Sequence, residues 1–289
     1  MQTMSIPSTD GGTQRNARRG LGIYFAIIVV LSAAIEGFII LNPSMDGLIA
    51  VLMLVPTIAS VVARLSLREG FSDVSFRVGG RRGLGAIGLA LVFPVAVGLV
   101  AYGIAWTTGL AGFDARPSVG MIVPFAVGLL IGLVLAAGEE IGWRGYMLTR
   151  LIDAGVPRPV LASGLIWALW HVPLVLGGVY AAGPSPALSA ALIVVSITSF
   201  GFVISRLRLE TGSVWPAIVL HAAWNRIIQG PFDGATMGVG ATLWVGESGI
   251  LTALTLVLTA VIFSRGRWTN LREPPKGEKA PLQQEGVRA

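Results

Sequence analysis

Long apolar runs alternate along the chain with short polar segments that carry arginine. The runs fall at Leu21–Leu41, Gly47–Leu65, Leu84–Thr107, Met121–Ala137, Pro159–Leu176, Ala187–Ile204, Val214–Ile228 and Ser248–Phe263. Several reach or exceed the ~18–20 residues needed to cross a bilayer core. Backbone groups at that depth have no water to bond, so each run predicts a helix. The expected fold is therefore all-α, a polytopic membrane protein of about eight transmembrane helices. The seventh run is the weakest, being short and polar. The first is too long for a signal-peptide core of about 7–15 residues and reads as a retained anchor. Residues 1–20 are polar and predict a disordered cytoplasmic tail, 21–264 the transmembrane domain, and 265–289 a second disordered tail. Ser66–Gly83 reads equally as a short amphipathic surface helix or as a plain loop.

Composition strengthens this picture. Of the 289 residues, 54% are hydrophobic and 12% charged, about half the ~25% charge usual in soluble domains. A net charge of +6 does not point to nucleic acid, because the basic residues sit between apolar runs, where they set topology. All of the 21 Lys and Arg except Arg116 and Arg226 fall on one side of the alternation. The positive-inside rule then places both termini in the cytoplasm of a plasma membrane, which an even number of spans requires. There is no cysteine, so disulfides, a thiol nucleophile and Cys-ligated metals are excluded. The excess of Arg over Lys, with abundant Gly and Ala, points to a GC-rich bacterial genome.

A charge at mid-bilayer costs about 2.5–3.5 kcal/mol and marks function by default. The densest cluster closes the fourth run, Gly138-Glu139-Glu140-Ile141-Gly142-Trp143-Arg144. Glu140 and Arg144 are four apart and share a helix face as an ion pair. Glu139 is turned about 100° away, which leaves it available as a general base. Both histidines lie in apolar runs, His171 in the fifth and His221 in the seventh, and Asn225 follows His221 by four. Taken singly, the glutamates can serve one ion network and each histidine a helix–helix hydrogen bond. Together they support two chemistries. A water can lie beside the general base with His and Asn donors for an oxyanion, or Glu139, His171 and His221 can hold a zinc. No HExxH pattern occurs, and Asn is a poor zinc ligand, which favours the version that requires no cofactor. Either chemistry is hydrolysis of a carbonyl compound. Helix depths place these groups in or near the inner half of the membrane, with a cavity open to the cytosol. Glu36 reads as an interhelical bond or a protonated carboxyl. Trp143, Trp167, Trp170 and Trp224 read as packing or interfacial residues, and Arg226 as pointing off the active face.

At these residues the chain resembles the CPBP family, the CAAX proteases and bacteriocin-processing enzymes, also called the Abi family. Its pattern of EExxxR, FxxxH and HxxxN or HxxxD on successive helices is matched by Glu139-Glu140…Arg144, Trp167…His171 and His221…Asn225 within 118–228. One position departs, with Trp167 in place of Phe. The resemblance implies an intramembrane endopeptidase with its site on the fourth, fifth and seventh helices. Glu139 would activate water with help from His171, His221 and Asn225 would form the oxyanion site, and Glu140 and Arg144 would support them. The expected substrate in a bacterium is a membrane-embedded or amphipathic peptide or protein rather than a prenylated CAAX protein. A non-catalytic immunity or assembly factor and a proton-coupled transporter are the competing readings.

Overall fold

The computed structural model describes residues 11–116 and 118–264. Eight helical segments make up its body: α1 (Gly11–Leu41), α2 (Pro43–Leu67), α3 (Gly80–Thr108), α4 (Val119–Asp153), α5 (Pro159–Leu176), α6 (Pro186–Thr211), α7 (Trp215–Ile227) and α8 (Ile250–Ser264). The chain is an all-α polytopic membrane protein. The first six helices are long and apolar enough to cross a bilayer, while α8 is apolar but shorter and α7, of 13 residues, carries His221, Asn225 and Arg226. Two-residue strands Gly112–Phe113 and Thr236–Met237 pair antiparallel between the connections that precede α4 and follow α7.

The helices are apolar on nearly every side because their outer faces meet lipid rather than water. Val123, Val127, Leu130, Ile131 and Val134 of α4 are exposed, as are Leu91, Val92 and Leu99 of α3. Polar and small residues turn inward instead. The first half of α4 lies at the periphery, whereas its second half, from Ala136 through Leu148, runs into the bundle. There it packs on α2 and α7, while α5 packs on α6 and α3 on α7. Small residues let these backbones approach. A Cβ on Gly142 of α4 would stand 2.3 Å from the carbonyl carbon of Pro56 in α2, and one on Gly201 of α6 would stand 3.1 Å from Gly164 Cα in α5.

Several boundaries differ from expectation. Helix α1 begins at Gly11 rather than Leu21, so the tail expected over 1–20 is helical in its second half. Its extra turns are held by packing: Ala17 and Gly20 are buried, and Gln14 Nε2 donates to the Ala154 carbonyl at 3.1 Å. Residues 1–10 and the tail expected over 265–289 lie outside the described residues. The fourth apolar run ends at Ala137, but α4 continues to Asp153 through a π-helical turn at Trp143–Met147. Arg144 and Arg150, beyond the end of the apolar run, are thus helical, because each finds carboxylate partners. A second π turn, Ile228–Phe232, extends α7. Of Ser66–Gly83, both ends belong to α2 and α3, and residues 68–79 form a loop with one 3-10 turn at Ser72–Val74. It is drawn against the bundle by Arg64, which bonds Asp73 and the Gly145 carbonyl, and by Arg150, which reaches Glu69 and Asp73 at 2.9 Å each.

Gly142→Ala is expected to force α2 and α4 apart at a backbone contact and to cost about 1–3 kcal/mol. A lowered thermal midpoint of the detergent-solubilised protein checks this, and Gly22→Ala, where a Cβ meets nothing within 4 Å, is the neutral control.

Candidate active site

The site assembles where the inner half of α4 meets α5 and α7. Arg144 Nη1 donates to Glu140 Oε1 at 3.0 Å, and both side chains have no exposed surface. The same Glu140 oxygen lies 2.9 Å from His221 Nδ1. A carboxylate only accepts, so Nδ1 carries the proton and the ring is fixed with Nε2 turned away from Glu140. Arg144 also stacks on Trp167, its guanidinium carbon 4.0 Å from the ring centroid, which favours a cation whose other N–H groups lack partners. The expected Glu140–Arg144 pair is present, and it carries a further duty in orienting His221.

Glu139 is buried on the adjacent face. Its Oε2 accepts from Trp167 Nε1 at 2.9 Å and from Trp143 Nε1 at 3.2 Å. Its Oε1 stands 4.0 Å from His221 Nε2, too long for a direct hydrogen bond and a spacing that one water can bridge. His171 Nδ1 donates to the Trp167 carbonyl of its own helix at 2.8 Å, which leaves Nε2 free. His171, His221 and Asn225 line one pocket with Trp167, Ser196 and Trp224. About 20 Å³ of that pocket is open to the centres of water-sized spheres, so it admits water but not a bulky group. All four residues expected at the centre are therefore neighbours, with Glu139 set just behind the pocket and the other three on its wall.

Three features were not anticipated. Trp143 and Trp167 do more than pack, since their indole N–H groups clamp Glu139. Only Trp, and not the Phe of the family pattern, supplies the donor at 167. Glu247, just before α8, and Tyr180, in the connection after α5, also line the pocket. Tyr180 donates to Glu247 Oε2, and Trp224 Nε1 donates to Glu247 Oε1 at 2.7 Å. Burial and the Glu247 carboxylate raise the Tyr180 phenol above its usual range, so it stays the donor. The only sequence signal for this pair is a lone acid, Gly246-Glu247-Ser248, at the head of an apolar run.

Depth also differs from expectation. The extension of α4 puts Glu139 in the helix interior. His171 lies five residues from the end of α5, about 7.5 Å. Tyr180 and Glu247 of the pocket wall belong to connections 177–185 and 228–249, opposite the arginine-bearing ones. Glu36 is buried in α1 and is not among the pocket residues. Arg226 points away, bonding the carbonyls of Phe125 and Pro124 at 3.2 and 3.0 Å, beside a larger apolar cleft that holds none of the motif residues. As a zinc site the donors fit poorly: among the described residues no group of three His, Cys, Asp or Glu side chains converges to hold a metal ion. Both histidine Nδ1 atoms and Glu139 Oε2 are already engaged within the protein.

Residues 121–227 match the family model described as type II CAAX prenyl endopeptidase Rce1-like. The matched segment contains Glu139, Glu140, Arg144, His171, His221 and Asn225, and spans just over a third of the chain. No curated protein matches the chain.

Arg144→Ala is expected to leave Glu140 buried without its cation and to cost about 3–5 kcal/mol. Loss of the folded, monodisperse species in size-exclusion chromatography, or a steep fall in thermal midpoint, checks this. Arg144→Lys is expected to recover part of the loss, since an ammonium restores the charge but not the planar stack on Trp167.

Proposed function

From a chain that carries the type II CAAX prenyl endopeptidase-like segment over 121–227, we propose that the protein is an intramembrane endopeptidase acting on a membrane-embedded or amphipathic peptide. Similarity to that family supports a CAAX-type protease in general. The residue roles that follow are our reading of the site. The observation that carries it is the meeting of His171, His221 and Asn225 on one water-admitting pocket, with Glu139 4.0 Å from His221.

A water held between Glu139 Oε1 and His221 Nε2 has its hydrogens directed at those two atoms and its lone pairs toward the pocket. As its oxygen attacks the peptide carbonyl carbon, one proton passes to Glu139. The carbonyl π electrons move to oxygen. The developing oxyanion is met by the Asn225 amide and, when Nε2 carries a proton, by His221. Collapse of the tetrahedral intermediate breaks the C–N bond as Glu139 returns its proton to the leaving amine. His171, with Nε2 free toward the pocket, hydrogen-bonds the water or the amine in transit. Glu140 and Arg144 act at one remove by fixing the His221 ring. This route draws on no metal. Eight crossings, with both termini on the arginine-rich side, fit the alternation of basic connections.

The test is cleavage of a library of apolar and amphipathic peptides by the purified protein. Glu139→Gln is expected to lower kcat by about 10²–10⁴-fold while the thermal midpoint changes little. Rates are expected to persist after treatment with a zinc chelator. Equal cleavage by Glu139→Gln would overturn the assignment of the base, and loss of activity on chelation, restored by zinc, would move the reading to the metal.

A further inference from the structure

The pocket has two ends, and they are not equivalent. Toward the arginine-bearing connections it is closed. Below Glu139 and Glu140 come Trp143, Tyr146, Met147 and Leu148, each fully buried, with Tyr24 of α1 packed edge-on against Trp143. Beneath them lies the 68–79 loop, pinned by Arg64 to Asp73 and by Arg208 to the Asp73 carbonyl.

The opposite end differs. Tyr180 and Glu247 belong both to the pocket wall and to the wall of a vestibule among connections 177–185 and 228–249, with about 460 Å³ open to water-sized spheres. The Tyr180–Glu247 hydrogen bond, steadied by Trp224, is the partition between the two spaces. The partition is backed by a strained residue, since Ala181 holds φ +44°, a conformation side chains rarely adopt. Ser248 Oγ secures it by donating to the Ala181 carbonyl at 2.6 Å. Asp233 and Glu247 are the charged residues lining the vestibule, and no Lys or Arg lines either space. Burial lifts the Asp233 carboxyl to about 6, which leaves it mostly ionised at neutral pH. Inside the pocket, Ser196 Oγ is 98% buried yet has no hydrogen-bond partner, a polar atom awaiting a ligand.

We propose that the substrate enters from the face opposite the arginine-rich connections, by parting Tyr180 from Glu247, and that the entering segment carries a basic side chain which takes the place of the phenol on Glu247. The identity of the ligand as a peptide rests on the endopeptidase reading, whereas the route and the charge preference rest on the two cavities. A cation exchanged for a neutral phenol makes the stronger bond to a carboxylate, so a basic residue opens the partition where a neutral one does not.

The natural absence of cysteine makes the route directly testable. A single cysteine at Ala182, in the vestibule wall, is expected to react with a membrane-impermeant maleimide added outside intact cells. One at Arg77 is expected to react only after permeabilisation. The reverse pattern would overturn the route. For the charge preference, Glu139→Gln protein in nanodiscs is titrated with an apolar peptide bearing one central lysine and with its Gln and Glu twins. The lysine peptide is expected to bind about tenfold more tightly, the worth of one charge-assisted hydrogen bond. Glu247→Gln is expected to abolish that difference, and Tyr180→Phe to keep it while tightening binding of the lysine peptide. Equal affinity for the three peptides, or a preference that survives Glu247→Gln, would overturn the proposal. Because these readouts need no turnover, a protein that discriminates the peptides but never cleaves them would sink the endopeptidase reading and leave this one standing.

Discussion

Arg144 and Glu140 meet at 3.0 Å with no exposed side-chain surface, inside a bundle whose outside is apolar, so neither charge is tolerable without the other. A buried pair of this kind does not stabilise a fold cheaply, because desolvation offsets most of the Coulombic gain. What it does is forbid alternatives. The i, i+4 geometry that satisfies it fixes the winding of α4 through this stretch, and the same Glu140 oxygen, shared with α7, selects one ring orientation for His221. The pocket, the aim of His221 toward Glu139 and the seating of α7 all follow from a bond that takes no part in the proposed chemistry.

Glu139 shows the complementary strategy. It has no cation of its own, and its Oε2 is met by two indole donors from α4 and α5. Neutral donors hold the carboxylate in place without cancelling its charge, and they leave Oε1 uncommitted. A tryptophan where the family pattern has phenylalanine keeps the aromatic wall and adds a hydrogen bond to it. The two glutamates, adjacent in sequence, thus sit in opposite settings: one is neutralised and structural, the other clamped with a free oxygen facing the pocket.

The membrane class and the motif positions were legible because polar residues are rare in apolar runs and because four-residue spacing on a helix is itself a contact. Glu140 with Arg144, and His221 with Asn225, needed no tertiary information to be placed on shared faces. Length was less legible. Hydropathy ends the fourth run at Ala137, where the charges begin, yet the helix continues because those charges are paired inside the bundle. The same blindness hid the first turns of α1, whose polar residues are helical only because Gln14, Ala17 and Gly20 find partners elsewhere. Tyr180 and Glu247 lie 67 residues apart in connections of irregular shape, where no periodicity links one side chain to another. That these two connections contribute to the pocket wall was therefore beyond reach of the sequence.

The π turn at Trp143–Met147 ties two distant jobs to one winding. Such a turn holds one residue more than an α-helix would. Upstream of it Glu139 and Glu140 stand beside His221 of the pocket wall, and downstream Arg150 reaches Glu69, Asp73 and Asp153. Were the same residues wound instead as ordinary α-helix, everything beyond would swing by about 100° and slide by about 1.5 Å. Either the carboxylates or the arginine anchor could then keep its bearing, not both. The extra residue works as a phase shifter between the carboxylates and the anchorage, and helical wheels drawn straight across it assign the last two turns of α4 to the wrong side of the membrane bundle.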